Sequence, residues 1–154
     1  MNLVSLLAER QIVINLSSES KEDLLREMVE SPAMEGLLDD SGTALSALME
    51  RERIASTGIG GSVAVPHALL SGLDDIVLML GLSKKGVDFN SGDGRKTNCV
   101  FLVLSPEGKQ EKRLRLLSRI SRLAKIDGFY EGLLSLDSAG EIIEAIGETE
   151  KRFC

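Results

Sequence analysis

A chain of 154 residues, 43% hydrophobic and 27% charged, has the size and composition of one compact domain, here taken as residues 1–154. Eighteen Lys and Arg against 24 Asp and Glu give a formal net charge of −6, which excludes bulk attraction to nucleic acid or anionic membranes. With no Trp and one Tyr, a base-stacking platform for single strands is excluded as well.

The first residues, MNLVSLLAERQIVINL, lack a basic leader and a long apolar core, and no segment reaches the roughly 18 apolar residues needed to cross a bilayer. The expectation is a cytoplasmic protein with no membrane insertion. Cys99 and Cys154 have no metal-like spacing; Cys99 reads as a buried thiol, Cys154 as a mobile terminal residue, and the compartment as reducing.

IVINL (12–16) is predicted as a first strand. A capping box from Ser20 to Asp23 opens a helix carrying Leu24, Leu25, Met28 and Val29 at helical spacing. A second helix runs from Ser41 to Arg53 with Leu45, Leu48 and Met49 on its buried side. Val63–Val65 is a short strand leading to Pro66 and His67. Ile76–Ser83 and Cys99–Ser105 are strands apolar on both faces, joined by the turn-rich VDFNSGDGRKTN. Pro106 and Gly108 end the latter strand, and a long helix follows from about Glu111 to Ile126. Helices near 129–136 and 139–146 close the chain, the last opened by Ser138 and Glu141. Short apolar strands alternating with amphipathic helices imply an α/β, single-domain layered fold with a mixed β-sheet flanked by helices.

His67 is the one histidine, and it closes STGIGGSVAVPHA. A lone histidine is most often structural, but the neighbours of this one suit a different task. A histidine that accepts a phosphoryl group needs one free ring nitrogen, the other held in a fixed tautomer, and donors around the arriving charge. Gly58, Gly60 and Gly61 can let backbone amides converge, Ser56, Thr57 and Ser62 offer hydroxyls, and Arg51 and Arg53 end the preceding helix. The glycines do not form a Walker loop, because no Gly-Lys-Ser/Thr follows, nor a dinucleotide fingerprint, because a strand follows them.

On the long helix, Lys112, Arg115, Arg119 and Arg122 share one stripe, readable as a solvated face or as a dock for acidic or phosphorylated groups. Arg113 instead aligns with Leu116, Leu117, Ile120 and Ala124, so it starts the apolar face and is expected to point at the sheet ends near His67. Metal sites fail for want of ligands, a hydrolase triad fails for want of GxSxG, and no cofactor is implied.

RERIASTGIGGSVAVPHA (51–68) resembles the active-site signature of phosphotransferase-system (PTS) enzyme IIA domains of the fructose/mannitol type, which include the nitrogen-regulatory IIA (PtsN-like) proteins. KKGVDFNSGDGRKTNCVFLVLSPEG and KRLRLLSRISRLAKIDGFYEGLLSLDSAGEIIEAI are similar to later stretches of the same family, so the resemblance covers about residues 3–146. It implies a phosphotransferase in which His67 takes a phosphoryl group from a phosphohistidine carrier of the HPr or NPr kind. Arg51 matches the family's active-site arginine and would help balance the phosphoryl charge, while Arg113, Ser56, Thr57 and Ser62 are the further candidates for that task from the residues themselves. In a regulatory version, target proteins would read the phosphorylation state; in a sugar-transport version, a IIB domain would receive the group. The lack of any attached IIB, IIC or HPr segment favours the regulatory version.

Two departures stand out. Arg113 occupies the position where the family usually has a second histidine, which puts onward transfer in question, and Gly61-Ser62 replaces a frequent Asn-Gly. A non-catalytic binding module with the IIA fold and a small-anion sensor are the competing readings.

Overall fold

In the computed structural model, which describes residues 2–153, one six-stranded sheet lies between two helical layers. Its strands are β1 (Ile12–Val13), β2 (Gly58–Gly60), β3 (Val63–Ala64), β4 (His67–Leu69), β5 (Val77–Val87) and β6 (Thr97–Ser105). The spatial order is β1-β5-β6-β3-β2, with β4 also on β6. β1 is parallel to β5, β5 antiparallel to β6, and β3 and β4 parallel to β6. The expected mixed sheet flanked by helices is therefore the architecture found.

β5 and β6 form the centre because both are apolar on both faces. Along β6, Val100, Leu102 and Leu104 face one layer, where α1 (Lys21–Val29) and α2 (Ser41–Ile54) supply Leu24, Leu25, Met28, Ala44 and Leu48. Cys99, Phe101 and Val103 face the other. There α3 (Gln110–Ala124), α4 (Phe129–Leu134) and α5 (Ala139–Phe153) contribute Leu116, Ile120, Phe129, Ile142 and Ile146. Phe101 and Phe129 stack with ring centroids 6.4 Å apart. Gly81 of β5 has no room for a side chain: a Cβ there would lie 2.6 Å from Leu16 Cδ1 and 3.0 Å from Met28.

Several elements differ from the sequence expectation. The first strand stops at Val13, although Leu16 N still donates to Leu82 O at 3.0 Å. β5 continues past Ser83 to Val87 through an irregularity at which Gly86, at φ +80°, donates to Ser83 Oγ. The last helix continues past Ile146 to Phe153. Its inner row is Ile142, Ile146 and Glu150, and the acidic third member ends the apolar pattern without ending the helix. Glu150 is 4% exposed, accepts hydrogen bonds from Leu3 N at 2.8 and 3.0 Å, and pairs with Arg119 Nε at 2.6 Å. It thus fastens the start of the chain and α3 to α5. Cys99 is fully buried, and burial pushes its thiol well above the ordinary range; Cys154 lies outside the described residues. Among the described residues no helix is long and apolar enough to cross a membrane.

Removing Glu150 strips the acceptor from the Leu3 amide and the partner from Arg119, whose side chain is partly exposed, at a cost of about 1–3 kcal/mol. Glu150→Ala is expected to lower unfolding stability by that order in urea titration. A loss below about 0.5 kcal/mol would show that the clamp is not stabilising.

Candidate functional site

β3 and β4 are two segments of one run. Val63 pairs with Cys99 and Ala64 with Val100; beyond Pro66, His67 pairs with Val103 and Leu69 with Ser105, in the same register. Pro66 has no N–H to give, yet its carbonyl still accepts from Val103 N at 2.9 Å. His67 is therefore on the sheet, as the first residue of β4.

Its Nδ1 lies 2.7 Å from Val65 O. A carbonyl can only accept, so Nδ1 carries the proton and Nε2 carries the lone pair. Nε2 has no hydrogen-bond partner among the described residues. The ring is half-buried and lines an open cavity of about 520 Å³ with Ala47, Glu50, Arg51, Ile54, Arg113 and Leu114.

Two guanidiniums thus reach the cavity from opposite helices. Arg51, near the C-terminus of α2, donates from Nη1 to Ala55 O at 2.8 Å. Arg113, in the first turn of α3, donates from Nη1 to Ser105 Oγ at 3.2 Å. Burial holds the protonation of His67 below the ordinary histidine value; the Arg51 and Arg113 charges push the same way, while the Val65 carbonyl and Glu52 oppose them. The imidazole is neutral near pH 7.

The glycines and hydroxyls are arranged differently from the sequence expectation of a cradle around His67. Gly58–Gly60 is β2, antiparallel to β3, and Gly61 and Ser62, at φ +62° and +64°, make the tight turn between them. Gly60 pairs with Val63, about 13 Å back along the strand from His67 at ~3.3 Å per residue. Gly60 and Gly61 line a separate cavity with Arg95, Lys125 and Tyr130. Gly58 is needed for space: a Cβ there would lie 2.1 Å from Ser91 Oγ.

The hydroxyls of Ser56 and Thr57 are committed elsewhere. Ser56 Oγ donates to Phe89 O and accepts from Gly58 N at 3.0 Å. Thr57 is buried and donates from both N and Oγ1 to Glu52. Ser62 is buried in its turn, and its carbonyl accepts from Asn98 N and Cys99 N. Arg53 is exposed and makes no pair with Glu50 or Glu52. Of the basic stripe, Lys112 pairs with Asp75, Arg115 with Glu111 and Arg119 with Glu150, so only Arg122 is unpaired among the described residues.

Four features of the site have little or no signal in the sequence. The Val65 carbonyl depends on the local turn of the backbone before β4. Ser105 meets Arg113 across the Pro106–Gly108 turn, a pairing visible only once β6 and α3 are placed. Glu52, 7% exposed, bonds Thr57 and pairs with Lys21 at 2.9 Å, and so fixes the chain leaving α2. Ile54 (78% exposed), Leu114 (63%) and Leu69 (49%) form an apolar collar around the cavity.

Residues 5–149 match the family described as "Phosphoenolpyruvate-dependent sugar phosphotransferase system, EIIA 2". Over 151 residues the chain is 34% identical to the PTS system fructose-specific EIIABC component of Bacillus subtilis, covering 98% of this chain and only 24% of that longer protein. It is 33% identical over 125 residues to a nitrogen regulatory protein of Bradyrhizobium diazoefficiens, covering 81% of each. The fold is similar to the crystal structure of nitrogen regulatory protein IIA-Ntr from Neisseria meningitidis. The TM-score is 0.86 at 24% identity, covering 94% of this chain and 98% of that one.

The single imidazole is expected to titrate below about 6.5 in an NMR pH series, and Arg113→Gln to raise its midpoint. With the folded value depressed, the unfolded chain binds more protons in that window. The associated stability is therefore present above the ordinary value and lost as pH falls from there through the folded value. A midpoint at or above 6.5 in the wild type would contradict the burial and charge assignment.

Proposed function

This chain belongs to the phosphotransferase-system EIIA 2 family, and from that premise we propose that His67 Nε2 is a phosphoryl acceptor, charged by a phosphohistidine carrier of the HPr or NPr kind. The observation that carries this reading is the unbonded Nε2 of a neutral imidazole beside a cavity reached by two guanidiniums. Members of the family are phosphotransferase components.

In the transfer, a P–N bond forms at His67 Nε2 as the carrier's P–N bond breaks, and the carrier leaves as neutral imidazole. The Nδ1 proton of His67 stays where it is. Phosphorylation makes the ring imidazolium-like, and the Val65 carbonyl receives that N–H, so no proton has to move. Arg51 and Arg113 supply fork-shaped donors to the phosphoryl oxygens. Ser56, Thr57 and Ser62 hold the chain that positions β3 and β4. The exposed Ile54, Leu69 and Leu114 give the carrier an apolar surface to close against, which excludes water from the transferring group.

The role assigned to the protein is regulatory, with the phosphorylation state of His67 read by cytoplasmic target proteins, in line with the likeness to nitrogen regulatory proteins. The 34% likeness to a fructose-specific EIIABC component supports a second reading, in which a IIB domain takes the group onward.

Incubation with phosphoenolpyruvate, enzyme I and an HPr-type carrier is expected to add one phosphoryl group by intact mass, and His67→Ala to abolish the gain. A wild-type chain that gains nothing from HPr- and NPr-type carriers alike would refute the acceptor role. Ile54→Asp with Leu114→Asp is expected to reduce the transfer rate at least about tenfold while leaving the fold unchanged by circular dichroism.

A further inference from the structure

The charges around the cavity are unbalanced. Neither Arg51 nor Arg113 is ion-paired among the described residues; each is bonded only to a neutral oxygen. Glu50 lines the cavity but is exposed and pairs with neither. Glu52, the next acid along α2, is engaged by Lys21 and Thr57. On α3, Glu111 is bonded to Arg115, and Lys112 to Asp75. The site therefore holds two like charges beside an imidazole whose protonation they oppose.

A phosphoryl group on Nε2 is the counter-ion that this arrangement lacks. Resting on the reading of His67 as acceptor, we propose that Arg113, braced by Ser105, makes the cavity a phosphoryl store: in exchange with a histidine carrier the group resides mainly on this protein and leaves slowly. Return transfer breaks the P–N bond at His67 Nε2 as one forms to the carrier's ring nitrogen. His67 recovers its neutral ring with the Nδ1 proton in place, and both guanidiniums lose their counter-ion.

Hydrogen bonds from a charged donor correspond to roughly tenfold to hundredfold in an equilibrium constant. A guanidinium keeps its charge across the whole working pH range, so this hold does not vary with pH on the Arg113 side. An imidazole at the same place would hold the group only while protonated, below its own pKa. The other charged groups lining the cavity with Arg113, namely Arg51 and Glu50 on α2, are the same in both cases.

The test compares wild type, Arg113→Gln, Arg113→Lys and Arg113→His. Each is phosphorylated with phosphoenolpyruvate, enzyme I and an HPr-type carrier, freed of enzyme I, and mixed with excess unphosphorylated HPr. Intact mass then reads the distribution of the group. Wild type is expected to retain it, Arg113→Gln to shift the equilibrium toward HPr by at least about tenfold, and Arg113→Lys to fall between. Arg113→His is expected to lose hold as pH rises from about 6 to 8 while wild type stays flat. Equal equilibria for wild type and Arg113→Gln, or a wild-type equilibrium lying on the HPr side, would overturn the store and leave the acceptor reading standing. A wild type that takes no label would overturn both. Circular dichroism of each variant excludes misfolding as the cause of a shift.

Discussion

The single register between residues 63–69 and β6 is the constraint from which the site follows. β6 is buried on both faces, so its position is set by two cores at once, and a strand laid against it inherits that precision. A slip of one residue would turn Val63 and Val65 out of one core and Ala64 out of the other. The same pairing that satisfies the cores sets His67 opposite Val103 and leaves Ser105 within reach of α3. His67 opens a strand whose placement is decided by hydrophobic packing.

Two neighbouring residues at the end of α2 divide the remaining work. Glu52 turns inward, where Lys21 and Thr57 neutralise and satisfy it, and so fixes the path from helix to β2. Arg51 turns to the cavity and bonds the carbonyl just past the helix end, where a cation is favoured by the helix dipole. One residue anchors the backbone, and the other offers its charge to the site from that anchored position. On the opposite wall, Arg113 stands in the first turn of α3, where the dipole disfavours a cation, and Ser105 holds it there.

Much of this was legible in the sequence. The layered α/β architecture followed from apolar runs separated by amphipathic helices, and Arg113 was visible as a charge at the head of an apolar stripe. What misled was context-dependent chemistry. Glycines and hydroxyls at 56–62 have the composition of an anion cradle, but the same residues serve a tight hairpin, and no local pattern separates the two. The end of α5 was hidden because Glu150 breaks the apolar rhythm; its burial depends on Arg119 and the Leu3 amide, which no window of sequence places beside it. Ser105 read as a strand end for the same reason.

The hydrogen bond from His67 Nδ1 ends on a main-chain oxygen. Any residue at position 65 carries that oxygen, so side-chain replacement there leaves the acceptor in place, and the tautomer of His67 is robust to mutation. The guanidiniums have no such protection, since each is a single codon away from a different charge. Mutational drift can therefore retune the charge around the cavity while the tautomer of the imidazole stays fixed.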